Sequence, residues 1–208
     1  LAALLVGLGA AVLGESSFAR EYVREELSAQ KITFTTADKL TDVEKNWKPG
    51  SACLVTYAGQ QVETGAQAEC FAKYYLAVHM DTSAKNAGFP GATYATLGPI
   101  RTELTAQVNA AKAKGDTTGQ AEAQKKLDAA TSLRSTMQTG ETLRGLLLTV
   151  YGFSVIGEKA ALAGNIIFGL AALMIVLSVA GFIHAYFTPK DEVVLGGARD
   201  WSHAPTTA

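Results

Sequence analysis

The chain is poor in the residues that most often carry chemistry. It has three histidines, His79, His184 and His203, and they fall in a polar middle region, a long apolar stretch and a polar tail. A Ser-His-Asp triad, or an iron site of two histidines and a carboxylate, needs side chains that converge within a few ångströms, so both are disfavoured. Charge of one sign is also missing. Eighteen Lys and Arg stand against 19 Asp and Glu, for a formal charge of -1, and no basic cluster is interleaved with aromatics. Nucleic-acid binding is therefore not expected. There is no Walker loop, and no glycine pattern leads a strand into a helix, so a nucleotide cofactor is not expected either. The two cysteines lack a second Cys or His pair at ligand spacing, which sets a zinc site aside.

What the chain has is apolar length. Ala160 to Phe187 contains no Asp, Glu, Lys or Arg in 28 residues. A helix needs about 20 mostly apolar residues to cross the hydrocarbon core of a bilayer, so this stretch is expected to be a transmembrane helix. A second apolar run, Leu1 to Gly14, is too short to cross alone. Leu1 is not a methionine, and residues 1–14 are read as the C-terminal part of a first transmembrane helix completed by residues before Leu1. The competing reading is the apolar region of a secretory signal peptide, although no A-x-A cleavage pattern precedes Glu15.

Between the apolar ends, residues 15–159 hold most of the charge and are long enough for one compact domain. Both cysteines, Cys53 and Cys70, lie in this region, 17 positions apart. Their placement suggests a disulfide. Such a bond persists in oxidising compartments, so the domain would face outward from a bacterial plasma membrane or into an equivalent lumen. Two unrelated buried thiols in a cytosolic domain are the alternative. Charges in the tail, Lys190 and Arg199 against Asp191, Glu192 and Asp200, decide little about orientation.

The local patterns are mainly helical. Residues 15–30, ESSFAREYVREELSAQ, read as an exposed continuation of the first helix. KITFTT reads as an extended stretch or small edge strand. Asp38 or Thr41 caps a brief helix through DVEKNW, stopped by Pro49-Gly50. Thr64 followed by Gln67 resembles a capping box and predicts a helix from about Gly65 to Met80. In it Ala68, Phe71, Ala72, Tyr75, Leu76 and His79 are expected to form one buried face. Residues 83–96 read as a loop. Leu97, Ile100, Leu104 and Val108, then Leu127, Ala130, Leu133 and Met137, mark a helical hairpin that turns at Gly115 to Gly119. Gly145 to Gly157 is apolar for 13 residues but is cut from the last span by Glu158-Lys159. Residues 145–159 are therefore read as an interfacial segment lying at the membrane surface or packed under the outer domain.

The fold class expected is mainly α: two transmembrane helices bracketing an extracytoplasmic helical domain that includes a helical hairpin. The divisions are residues 1–14, 15–144, 145–159, 160–187 and a cytoplasmic tail at 188–208. Small residues recur at helical spacing near the second span, Gly157 with Ala161, Ala160 with Gly164, and Asn165 with Gly169. Such a face permits close packing against another membrane helix, and Asn165 could add an interhelical hydrogen bond. His79 reads as a helix histidine and His184, near Tyr186, as an interfacial anchor.

Three segments carry a resemblance: YAGQQVETGAQAECFAKYYLAVHM at 57–80, AQKITF at 29–34 and ETLRGLLLTVYGF at 141–153. In these the chain resembles a set of actinobacterial two-helix membrane proteins often labelled aromatic ring-opening dioxygenases. That set is similar to the prokaryotic respiratory supercomplex association factor found with the cytochrome bcc and aa3 oxidase assembly. The resemblance covers most of the chain, with the hairpin at 97–139 its least distinctive part. It implies a plasma-membrane accessory subunit of a respiratory supercomplex, without catalysis or cofactor of its own, whose partners are the lipid bilayer and subunits of the cytochrome bcc and aa3 complex. It supplies no catalytic residue, and the dioxygenase label demands iron ligands that this sequence does not provide. A two-helix sensor with an extracytoplasmic ligand-binding domain is the second expectation. The third is an envelope enzyme using His79.

Overall fold

The computed structural model describes residues 1–188; the expected tail beyond Thr188, with His203, lies outside the described residues. The chain is mainly α-helical, and two helices dominate it. Helix α1 spans Ala2–Ala29. It passes Gly14 unbroken, because the charged residues that follow are good helix formers and no proline intervenes. At its far end the chain leaves through Lys31, whose φ is 54°. Both α1 and the final helix are long and apolar enough to cross a membrane.

The chain divides into two compact units. The first joins Leu1–Val12 to the described residues from Ala163 onward. Each helix buries one narrow stripe there, with Gly9, Gly164 and Ala171 closed off. A Cβ at Gly9 would stand 2.9 Å from the Phe168 ring, so only glycine admits that aromatic. Every other face points outward, including Leu170, Leu173, Val176 and Phe182. Such continuous apolar exposure would drive aggregation in water; against hydrocarbon it costs nothing, and each helix satisfies its own backbone.

The second unit is Leu13–Leu162, here called the head. Its main core gathers Val23 and Leu27 of α1, Phe34, Leu40, Leu54, Val62, Phe71 and Leu147. The KITFTT stretch is extended, as its β-branched residues predict. The Val62 amide donates to the Ile32 carbonyl at 2.8 Å and the Phe34 amide to the Gln60 carbonyl at 2.9 Å, around a single antiparallel bridge between Thr33 and Gln61. Thr41, not Asp38, caps α2 (Asp42–Asn46) in a reciprocal capping box with Glu44. Helix α3 is short, Ala52–Thr56.

The Thr64 box is also present and opens α4, Gly65–Cys70. Gly65 sits against the final helix, where a Cβ would overlap the Ser154 side chain. The helix then passes through a π-helical turn, Phe71–Leu76, into α5, Ala77–Asn86. The π turn corrects the expected buried face. Bonds from i to i+5 insert one residue per turn, so the inward stripe slips by one position. Ala68, Phe71 and Ala72 are buried as expected, but Val78 follows them at 2% exposure while Tyr75 and Leu76 are half-buried and His79 is exposed.

Helix α6, Tyr94–Ala113, begins at a Thr93 capping box and folds back on the last helix, α7, Thr117–Phe187. The loop expected at 83–96 is thus only 87–93. The hairpin turn is also tighter than Gly115 to Gly119: it takes residues 114–116, and the Asp116 carboxylate accepts the Gly119 amide at 2.8 Å to start α7. Leu97, Leu104, Ala130, Leu133 and Met137 close the hairpin as a second core with Ala84. Residues 145–159 lie within α7, where Leu147 packs into the main core of the head, and α7 has no break at Glu158-Lys159. Both residues are exposed and both favour helix, so charge marks a change of surroundings there without ending the helix.

Candidate functional site

The expected helix-packing residues divide between two tasks. Gly157 is buried and already occupied within the head. Its carbonyl accepts a hydrogen bond from the Ser16 hydroxyl at 2.8 Å, and a Cβ there would lie 3.3 Å from the Ala19 methyl. Ser16 itself is fully buried. This contact fastens α7 to α1 across 141 positions of sequence, and the absent side chain at 157 is what lets the helices approach. Ala160 and Ala161 are half-buried beside it, and Gly164 is buried in the first unit.

Asn165 and Gly169 are left open. Both are exposed, and nothing lies within 4 Å of a Cβ built at Gly169. At helical spacing with them stand Ile166, Leu173 and Val176, all exposed. The result is an apolar helix face with one amide and one glycine notch in it, turned away from the chain's own packing stripe. Ser16 carries no motif of its own. Within the head it stands seven residues before the buried Val23, the spacing of one packed helix face.

In the head, Cys53 and Cys70 form a disulfide with Cα atoms 6.1 Å apart, joining α3 to the end of α4. Cys70 lies in the main core. Close by, His79 Nε2 lies 3.0 Å from Glu44 Oε1, while the other Glu44 oxygen accepts the Thr41 amide and hydroxyl, both at 2.7 Å. Glu44 is buried, which raises its carboxyl pKa, but the hydrogen bonds from Thr41 and the His79 partner outweigh that and hold it below the usual glutamate value. His79 is half open to solvent and packs against Tyr75 with ring centroids 4.3 Å apart and planes tilted by 55°, and Tyr75 in turn meets the Thr35 hydroxyl at 3.0 Å. These contacts make His79 a strut between α2 and α5.

His184 lies near the end of α7, where its carbonyl accepts the Thr188 hydroxyl at 2.7 Å. Among the described residues no three His, Cys, Asp or Glu side chains come together as a metal-ligand set. In comparisons with known proteins, no family model matches the chain, and neither a curated protein nor a solved structure is similar to it.

Proposed function

We propose that this chain is a non-catalytic accessory subunit of a larger respiratory membrane complex, of the cytochrome bcc and aa3 oxidase kind, seated in the plasma membrane with its head on the extracytoplasmic side. The observation that carries the reading is the open face of α7. Lipid tails gain nothing from a glycine notch or an amide in hydrocarbon, whereas a partner helix can approach Gly169 closely and bond Asn165. The respiratory identity rests on the resemblance of residues 29–34, 57–80 and 141–153. The disulfide supports an oxidising compartment for the head.

Action by contact alone suffices for such a subunit. Surface that binds only the assembled state stabilises that state by mass action, and no chemistry is required of the chain. Tagged protein drawn from its native membrane in mild detergent tests this. The eluate should carry haem proteins, visible as b-, c- and a-type bands in a reduced-minus-oxidised spectrum. A pure chain without haem sinks the proposal.

A further inference from the structure

The head holds an apolar groove between α1 and α7 that takes no part in the open face described above. Its volume is about 370 Å³, within the range of small-molecule sites. Phe18, Tyr22, Phe153 and Ile156 form its walls, each more than half exposed. Phe18 and Tyr22 stack with centroids 5.9 Å apart and planes 19° from parallel, making one wall flat. Ala19 and Gly157 form its floor.

The floor has no free polar group, because the Gly157 carbonyl is engaged by Ser16. The lining includes one acid, Glu15, and no base. A ligand here therefore needs neither hydrogen bonds nor negative charge; it needs hydrocarbon. Ten residues line the groove, where a stable protein interface takes roughly 20–30 residues a side. The site is thus small for a protein and suited to a chain. Its place along both helices names the source. The lining begins on α1 at Glu15, directly after the apolar run Leu1 to Gly14, and ends on α7 at Ala160, the first residue of the charge-free stretch. Along the sequence the lining therefore adjoins the apolar stretch of each helix.

We propose that this groove holds one acyl chain of a bilayer phospholipid, as a bound lipid distinct from those that coat the span. The purified chain, reconstituted in phosphatidylethanolamine and phosphatidylglycerol vesicles with a phospholipid bearing a diazirine at its acyl terminus, tests it. After irradiation, label per residue on 18–23 and 150–160 should exceed that on 173–183 by at least about fivefold, a difference near 1 kcal/mol in occupancy. Replacing both Phe18→Ser and Phe153→Ser, two exposed positions, should bring groove labelling down to the span level while the disulfide and the melting temperature persist. Even labelling of groove and span, or labelling of the span alone, overturns the proposal in the wild-type chain whatever the variant does. Co-purification of haem proteins does not bear on it, so the two readings fail separately.

Discussion

Replacing Cys53 and Cys70 together by alanine removes the one covalent link in the head. The link closes 17 positions of chain, and opening it returns about 10 cal/mol/K of entropy to the unfolded state, or about 3 kcal/mol at 25 °C. The native side loses little, since Cys70 is buried among Leu54, Val62, Ala68 and Phe71 and alanine leaves only a sulfur-sized gap. What the link holds is specific: α3 is a five-residue helix that cannot persist alone, and the bond pins it to the end of α4. For a unit of this size about 3 kcal/mol corresponds to a fall in melting temperature of roughly 6–12 °C. Near-ultraviolet circular dichroism in mild detergent would follow it through Tyr57, Tyr74 and Tyr75, which pack on this core. Wild-type protein with reductant should melt close to the double variant. If oxidised, reduced and substituted protein all melt within about 1 °C of one another, the bond does not hold the head together and the loop-closure reasoning is wrong.

Two substitutions in α7 separate its faces. Gly157→Leu drives a side chain into Ala19 and Ser16 and should cost about 1–3 kcal/mol, read as a lower melting temperature and faster proteolysis of α1. Gly169→Leu, on the open face, should change the isolated chain by no more than about 0.5 kcal/mol. Equal losses in the two variants would show that Gly157 is not an internal contact. Glu44 predicts the acid limb of stability. Its carboxyl pKa is lowered from the usual 4.5, so its stabilisation is present above that value and is lost as the pH falls through the lower folded value. Glu44→Gln should therefore be less stable than wild type at pH 7, and by melting temperature the gap should narrow as the pH falls through the lowered folded value; a gap that stays constant throughout the acid titration would refute the assignment.

Much of the architecture is legible where a local signal suffices. The capping box at Thr64 marks a helix start because the side chain and backbone that meet are three residues apart, whereas for α2 the sequence leaves Asp38 and Thr41 as rival caps. The hairpin of α6 and α7 shows in its leucine spacing, and the two cysteines announce their bond by falling together in the polar region. What failed to show depends on distant partners or on register. The π turn at Phe71–Leu76 shifts the buried stripe without altering the apolar pattern that would reveal it. Glu158-Lys159 read as the end of a segment, although a charge pair changes a helix's surroundings and not its backbone. Of the candidate packing face, the spacing was readable but the allocation was not. Whether Gly157 meets another protein or this chain's own Ser16 is decided by a contact across 141 positions, which no local pattern encodes.

The most direct measurement is affinity purification of wild-type chain and Gly169→Leu side by side, from native membranes in mild detergent, with haem quantified per tagged chain by difference spectrum. An accessory subunit docked through the open face of α7 should bring b-, c- and a-type haem with the wild type and lose most of it in the variant, while both chains remain folded with the disulfide intact. Wild-type protein that elutes without haem contradicts the assignment to a respiratory complex, and haem retained equally by both contradicts docking through Gly169.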